Sequence, residues 1–140
     1  MKAIATLGPS GFRTEIKVGH QLEHVVISDE PTEKGGQNGG PTAFGLLASA
    51  LASCTVATLK SYANLKGIAL DSLTVEVNAE RRTPSEQNEA GPNAKATVIT
   101  KKITIHSKTI TEDQRKRMLE IAEKCPVNRA LHEGADISKA

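Results

Sequence analysis

Gly45-Leu-Leu-Ala-Ser-Ala-Leu-Ala-Ser-Cys-Thr-Val-Ala-Thr-Leu59 carries no charged residue, and the first charge after it is Lys60. The run predicts one long helix, capped by Thr42 and reaching about Leu65, with Lys66-Gly67 as its stop signal. Its main stripe holds Leu46, Leu47, Ala50, Leu51, Cys54, Ala57, Thr58 and Tyr62. The other positions as far as Leu59 are also Ala, Ser, Thr, Val and Leu, so no polar face is left. A helix of that kind must be buried on most sides. One chain of 140 residues does not easily wrap a central helix alone, so the pattern predicts a dimer.

Upstream of this helix, Ala3–Leu7, Phe12–Val18 and Leu22–Ser28 predict three strands, parted by Gly8-Pro9-Ser10-Gly11 and by Gly19-His20. Residues 29–41 form a polar, Gly-rich loop without periodicity. Downstream, Leu73–Ala79 alternates strictly and predicts a strand, and Ala96–His106 predicts a second one returning beside it. Between them Arg82–Ala94 is polar and expected to be a mobile hairpin tip. Thr111-Glu-Asp-Gln114 is a capping box that opens a second helix. Met118, Ile121, Ala122 and Cys125 share a face of it, and Glu120 and Lys124 are spaced as an i,i+4 pair. Pro126 ends that helix and is placed to open a third as its first residue. Residues 135–138 are expected to add an edge strand. The order predicts a single α+β domain over residues 1–140, with helices packed on antiparallel sheets.

Only Phe12, Phe44 and Tyr62 are aromatic, and 38% of residues are hydrophobic, so the core must come from many small aliphatic contacts or from a partner chain. A net charge of +2, with no basic stripe, argues against nucleic acid as a partner. The first ten residues lack a signal-peptide stretch. The run from Ala43 to Leu59 is short and rich in Gly, Ser and Thr for a membrane span. A cytoplasmic protein is expected, and there a transient disulfide is favoured over a permanent one.

Cys54 and Cys125 are the only cysteines, and both fall on predicted buried stripes. A thiol pair can reduce a peroxide: one thiolate attacks the terminal oxygen of ROOH and becomes a sulfenic acid. The second thiol condenses with it to a disulfide, and an external dithiol restores both. The cycle needs a cation near the thiolate and a Cα separation below about 7 Å. Cys54 lies roughly three turns inside its helix, beyond the reach of the N-terminal dipole, so its cation must come from elsewhere. Arg13 on a strand and Arg129, one turn past Cys125, are the candidates. Set against this chemistry, cysteine also packs often as a small hydrophobe.

Gly35-Gly36, Gly39-Gly-Pro-Thr42, Leu46-Leu-Ala-Ser-Ala-Leu-Ala-Ser-Cys-Thr55 and Cys125-Pro-Val-Asn-Arg-Ala-Leu131 together resemble the OsmC/Ohr family of osmotically induced and organic hydroperoxide resistance proteins. Asp29-Glu-Pro31 is similar to the variant of many OsmC-like members. The resemblance implies thiol-dependent peroxidase chemistry, with Cys54 peroxidatic, Cys125 resolving, and a small dithiol or lipoyl-type reductant. It also implies an OsmC-like fold in which an intertwined homodimer holds central helices between curved sheets. No cofactor is implied. The family usually carries Pro-x-Glu-Leu-Leu at this helix start, its carboxylate orienting an arginine beside the thiol. Here Ala43-Phe44-Gly45-Leu46-Leu47 stands instead, so slow turnover is expected. Alternatives are an apolar-ligand binding module, or a redox-responsive protein with little turnover.

Other signals are weaker. Gly35–Gly40 lacks the Gly-Lys-Ser/Thr ending of a phosphate loop. His20 and His24 lie on a predicted turn and strand, where a rise of about 3.3 Å per residue parts the rings too far for one metal. There is no Cys-x-x-Cys, so no metal site is expected.

Overall fold

The computed structural model describes residues 1–139. They form two compact units, residues 1–47 and the described residues from 48 onward. In the first, β1 (Lys2–Leu7), β2 (Thr14–Gly19) and β3 (His24–Ser28) form an antiparallel sheet in the order β1-β2-β3. β2 alternates half-buried and exposed residues, as a two-faced strand must. No apolar side chain of this unit is among the buried core residues, and Ile4, Leu7, Phe12 and Val25 are exposed.

The loop after β3 is built around Asp29, whose carboxylate accepts from the amides of Glu30 (2.8 Å), Gln37 (3.2 Å) and Gly39 (3.1 Å). Two of its glycines are required by close approach. A Cβ on Gly36 would stand 1.8 Å from the Glu30 carbonyl oxygen, and one on Gly40 would stand 2.4 Å from that of Ile27. The Gly-rich stretch is therefore a packed turn around a carboxylate, and it includes a short 3-10 helix, Thr32–Lys34.

α1 spans Ala43–Lys66, within a residue of its predicted bounds. The Thr42 hydroxyl accepts from the Gly45 amide at 3.1 Å, and Gly67 ends the helix with φ +64°. Its rotation differs from expectation. The buried line is Leu51, Thr55, Leu59 and Ala63, while Ala50 and Ala57 are exposed. A helix apolar all round offers no polar face from which the buried one can be chosen, so the sequence leaves its rotation open.

β4 (Ser72–Arg81) and β5 (Thr97–His106) pair antiparallel over their whole length. Their connector corrects the expected mobile tip. It contains α2 (Pro84–Glu89), with a complete capping box between Thr83 and Glu86 and Pro84 in the first turn. α3 (Glu112–Ala122) begins on the predicted Thr111–Gln114 box. Glu120 pairs with Arg117 at 2.7 Å, one turn back, in place of the expected bond to Lys124.

The core joins Leu59, Ala63 and Ile68 to Ile105 of β5 and to Met118 and Ala122 of α3. α4 (Pro126–Glu133) follows with proline at its start, as expected. Residues 135–138 form no strand. Only four residues, led by Gly134 at φ +80°, separate Glu133 from Ser138, and among the described residues they pair with no strand.

Candidate active site

Cys125 is not on α3. It sits between α3 and α4 with φ −62° and ψ 142°, and serves as the N-cap of α4. Pro126 is the cause, since a residue before proline is driven out of the helical region into extended backbone. That placement aims the Cys125 sulfur along the N-terminal end of α4, where unpaired amides point. The Asn128 amide donates to Sγ at 3.3 Å. Thr55 of α1 brings its hydroxyl to 3.6 Å from the same sulfur. The Cys54 thiol is near enough to help hold the Cys125 proton affinity down. Thus the two cysteines meet, although by a route the helical stripes did not predict.

Behind the sulfur lies a lysine. Lys101 of β5 is 10% exposed, and its Nζ donates to the Ala122 carbonyl and to Asn128 Oδ1, each at 3.2 Å. Glu123 Oε1 is 3.1 Å from the same nitrogen, so each of the three ammonium protons has an acceptor. Asn128, itself buried, donates its side-chain Nδ2 to the Glu123 carbonyl at 2.9 Å. A chain of bonds therefore runs Lys101, Asn128 side chain, Asn128 amide, Cys125 sulfur.

The electrostatics of Cys125 follow from this surrounding. Burial pushes its thiol up, but the Asn128 amide, the Thr55 hydroxyl, the Cys54 thiol and the Lys101 charge together bring it below its ordinary value. An anionic Cys125 is stabilised by these donors and by the lysine charge.

Cys54 is half-buried, whereas Cys125 is fully buried. Arg129 projects from α4, 64% exposed, with its guanidinium 3.4 Å from Glu133. Arg13 is exposed in the β1–β2 turn of the first unit, where its charge acts on the Asp29 carboxylate. An open cavity of about 410 Å³ adjoins the network, walled by Leu51, Ile99, Lys101, Asn128, Leu131 and His132 among others. No cluster of His, Cys, Asp and Glu suited to a metal occurs among the described residues.

Thr55, Lys101 and Asn128 are the site residues that sequence reasoning passed over. Lys101 did leave a signal. The inward row of β5 reads Thr97, Ile99, Lys101, Ile103, Ile105 at the strand period of two, so one lysine interrupts an apolar row. Its neighbour Lys102 faces outward to Glu76 and is an ordinary surface charge.

A family model described as OsmC-like protein matches residues 36–139. No curated protein matches the chain. Among solved structures, an OsmC-like protein from Mycoplasma pneumoniae is 20% identical, with a TM-score of 0.74 over 95% of this chain and 87% of that one. An organic hydroperoxide resistance protein OsmC from Legionella pneumophila is 20% identical, with a TM-score of 0.63 over 98% and 92%. The organic hydroperoxide resistance protein OhrB of Bacillus subtilis is 18% identical, with a TM-score of 0.59 over 98% and 93%. The fold is common to all of them, and with most of its length matched by the family model, this chain belongs to the OsmC-like protein family.

Proposed function

We propose that this protein reduces organic hydroperoxides, with Cys54 attacking and Cys125 resolving. The observation that carries the assignment is the closeness of the two thiols, combined with their unequal exposure. Cys54 is the sulfur a peroxide can approach. Its thiolate takes the terminal OH of ROOH, the O–O bond breaks, and the alkoxide takes up a proton and departs as ROH, leaving Cys54 as a sulfenic acid. Cys125, whose anionic form is stabilised where it stands, then attacks the Cys54 sulfur. Hydroxide leaves as water after taking up a proton, and a disulfide remains. A small dithiol, of lipoyl type or similar, returns both sulfurs to thiols.

The working form is a homodimer in a reducing compartment such as the cytoplasm. Support for the dimer is α1, of which only 17% of the apolar window is buried within one chain. By length and composition alone that helix would also qualify as a membrane span, but the polar groups of Ser49, Ser53, Thr55 and Thr58 along it suit protein packing better than lipid.

Peroxide consumption by the purified protein with a dithiol tests the function. Cys54→Ser should abolish turnover. Cys125→Ser should permit a single reduction and accumulate a one-oxygen adduct on Cys54, trapped by a sulfenic-acid reagent. The opposite pattern, with the adduct on Cys125 in a Cys54→Ser protein, would reverse the roles. Absence of turnover in the intact protein, with a disulfide that still forms and breaks, would support the redox-responsive alternative, which Gly45 at the family's glutamate position favours.

A further inference from the structure

The Cys54–Cys125 disulfide presents two sulfurs to a reductant, and the structure makes them unequal. We propose that Lys101, acting through Asn128, is a positioning residue that makes Cys125 the leaving sulfur, so that the reductant attacks Cys54. The inference rests on the pairing given under the proposed function, but not on peroxide turnover.

Two geometric facts carry it. Cys125 is fully buried at the N-terminus of α4, its sulfur already receives the Asn128 amide, and the Thr55 hydroxyl lies 3.6 Å away, able to turn toward it. Lys101 fixes that amide by holding Asn128 Oδ1 at 3.2 Å, and the Glu123 carbonyl holds the other end of the same side chain. In the reductive step an external thiolate bonds to Cys54 Sγ while the Sγ–Sγ bond breaks. The electron pair goes to Cys125, which departs as a thiolate into its ready set of donors and beside a lysine charge. The second thiol of the reductant then displaces Cys54 from the mixed disulfide, and the dithiol, oxidised by two electrons, closes to its cyclic disulfide. A thiol that is easily held as an anion leaves faster, and access decides which sulfur is attacked. Both considerations select Cys54 as the target.

The lowered affinity of Cys125 for a proton agrees with this direction. Nothing in local folding demands a lysine at 101, because the flanking inward positions are isoleucine.

The test forms the disulfide with a chemical oxidant, so its outcome does not depend on peroxide activity. A monothiol is then added and the mixed disulfide is trapped and mapped. In the natural sequence the adduct should lie on Cys54, and Lys101→Met should slow reduction several-fold and divide the adduct between both cysteines. Lys101→Arg should restore most of the rate. Asn128→Ser, which keeps the lysine but cuts its tie to the sulfur, provides a second variant should Lys101→Met fail to fold, and should also slow reduction. Unchanged rate and adduct position in either folded variant would overturn the proposal. Failure of the pair to oxidise at all would overturn the pairing together with it, whereas loss of peroxide turnover alone would overturn only the functional reading.

Discussion

The Thr55 hydroxyl has one proton and two neighbours that want it. It donates to the Leu51 carbonyl at 2.8 Å, and it lies 3.6 Å from Cys125 Sγ. While Cys125 is a neutral thiol, its S–H can donate to the hydroxyl oxygen and the Leu51 bond is kept. When Cys125 ionises, the hydroxyl must turn toward sulfur, and the Leu51 carbonyl falls back on its helical amide. Thr55→Val keeps the volume and removes the switch. The pH profile of Cys125 alkylation in a Cys54→Ser background should then move to higher pH. Stability should fall by about 1 kcal/mol, the ordinary value of one buried hydrogen bond. Because the folded thiol titrates below its unfolded value, its contribution to stability is complete only above about pH 8.5 and is lost as pH falls through the folded value.

Asp29 follows the same sign at the acid end. The Gly39 amide contributes most to depressing its carboxyl, burial opposes, and the Glu30 and Gln37 amides and the Arg13 charge add to the lowering. Its stabilisation is therefore present above about pH 3.9 and lost as pH falls through the lower folded value. Asp29→Asn should lower stability at neutral pH and remove part of the acid dependence, measured by denaturant unfolding at several pH values. Neither role was legible beforehand. Asp29 and Thr55 both lie in segments that resemble the family, but sequence shows neither the three amides that meet the Asp29 carboxylate nor the sulfur that meets the Thr55 hydroxyl.

Helix starts in this chain make a natural comparison at the level of elements. α2 and α3 each have a complete capping box, Thr83 with Glu86 and Thr111 with Gln114. α1 has the first half only, because its third residue is Gly45, whose amide reaches Thr42 but which has no side chain to answer. Glycine also weakens a helix interior by about 1 kcal/mol relative to alanine. A Cβ at this place would stand 3.3 Å from Pro41 Cβ and 3.5 Å from Thr42 Oγ1, so the loop must give by a few tenths of an ångström. Gly45→Ala should isolate the propensity term. Gly45→Glu should add the second half of the box, raising the melting temperature further, and should speed reduction of a bulky organic hydroperoxide. Equal melting temperatures for the Ala and Glu variants would mean that the box does not close.

The same elements show where sequence is informative. Alternation placed β1, β2 and β4, and a capping box placed the start of α3, because both are local and obey a fixed period or spacing. α2 was equally legible from Thr83-Pro-Ser-Glu86 but was hidden by its polar composition. Cys125 was misplaced because an apolar spacing ran on across a proline boundary. The steric rule for the residue before proline outweighs periodicity, and it turned a helical thiol into a cap.

For the whole molecule, the question is what covers the apolar surface that one chain leaves open. The three-stranded unit has no apolar side chain among the buried residues, and a sheet of this size needs a packed face to persist in water. α1 faces the same deficit, with Ala50 and Ala57 exposed on a segment free of charge, and Leu65 exposed near its end. Exposed apolar area of this extent marks an association surface. A second copy supplies a matching one, since each chain carries the same helix, and a two-fold contact pairs a patch with itself. The expected interface is of the obligate kind, above about 2,000 Å² in total. Light scattering should give twice the mass of 14.9 kDa at micromolar concentration. Ala57→Glu places a charge on the open side of α1 without touching the buried line Leu51, Thr55, Leu59 and Ala63. It should either yield a monomer with a concentration-independent and much lower melting temperature, or prevent folding. Ala57→Ser, a polar change of similar size, should remain dimeric. A natural protein that stays monomeric at micromolar concentration, with Ala57→Glu equally stable, would show that α1 needs no partner. Sedimentation of the purified protein with lipid vesicles would instead assign that surface to a membrane.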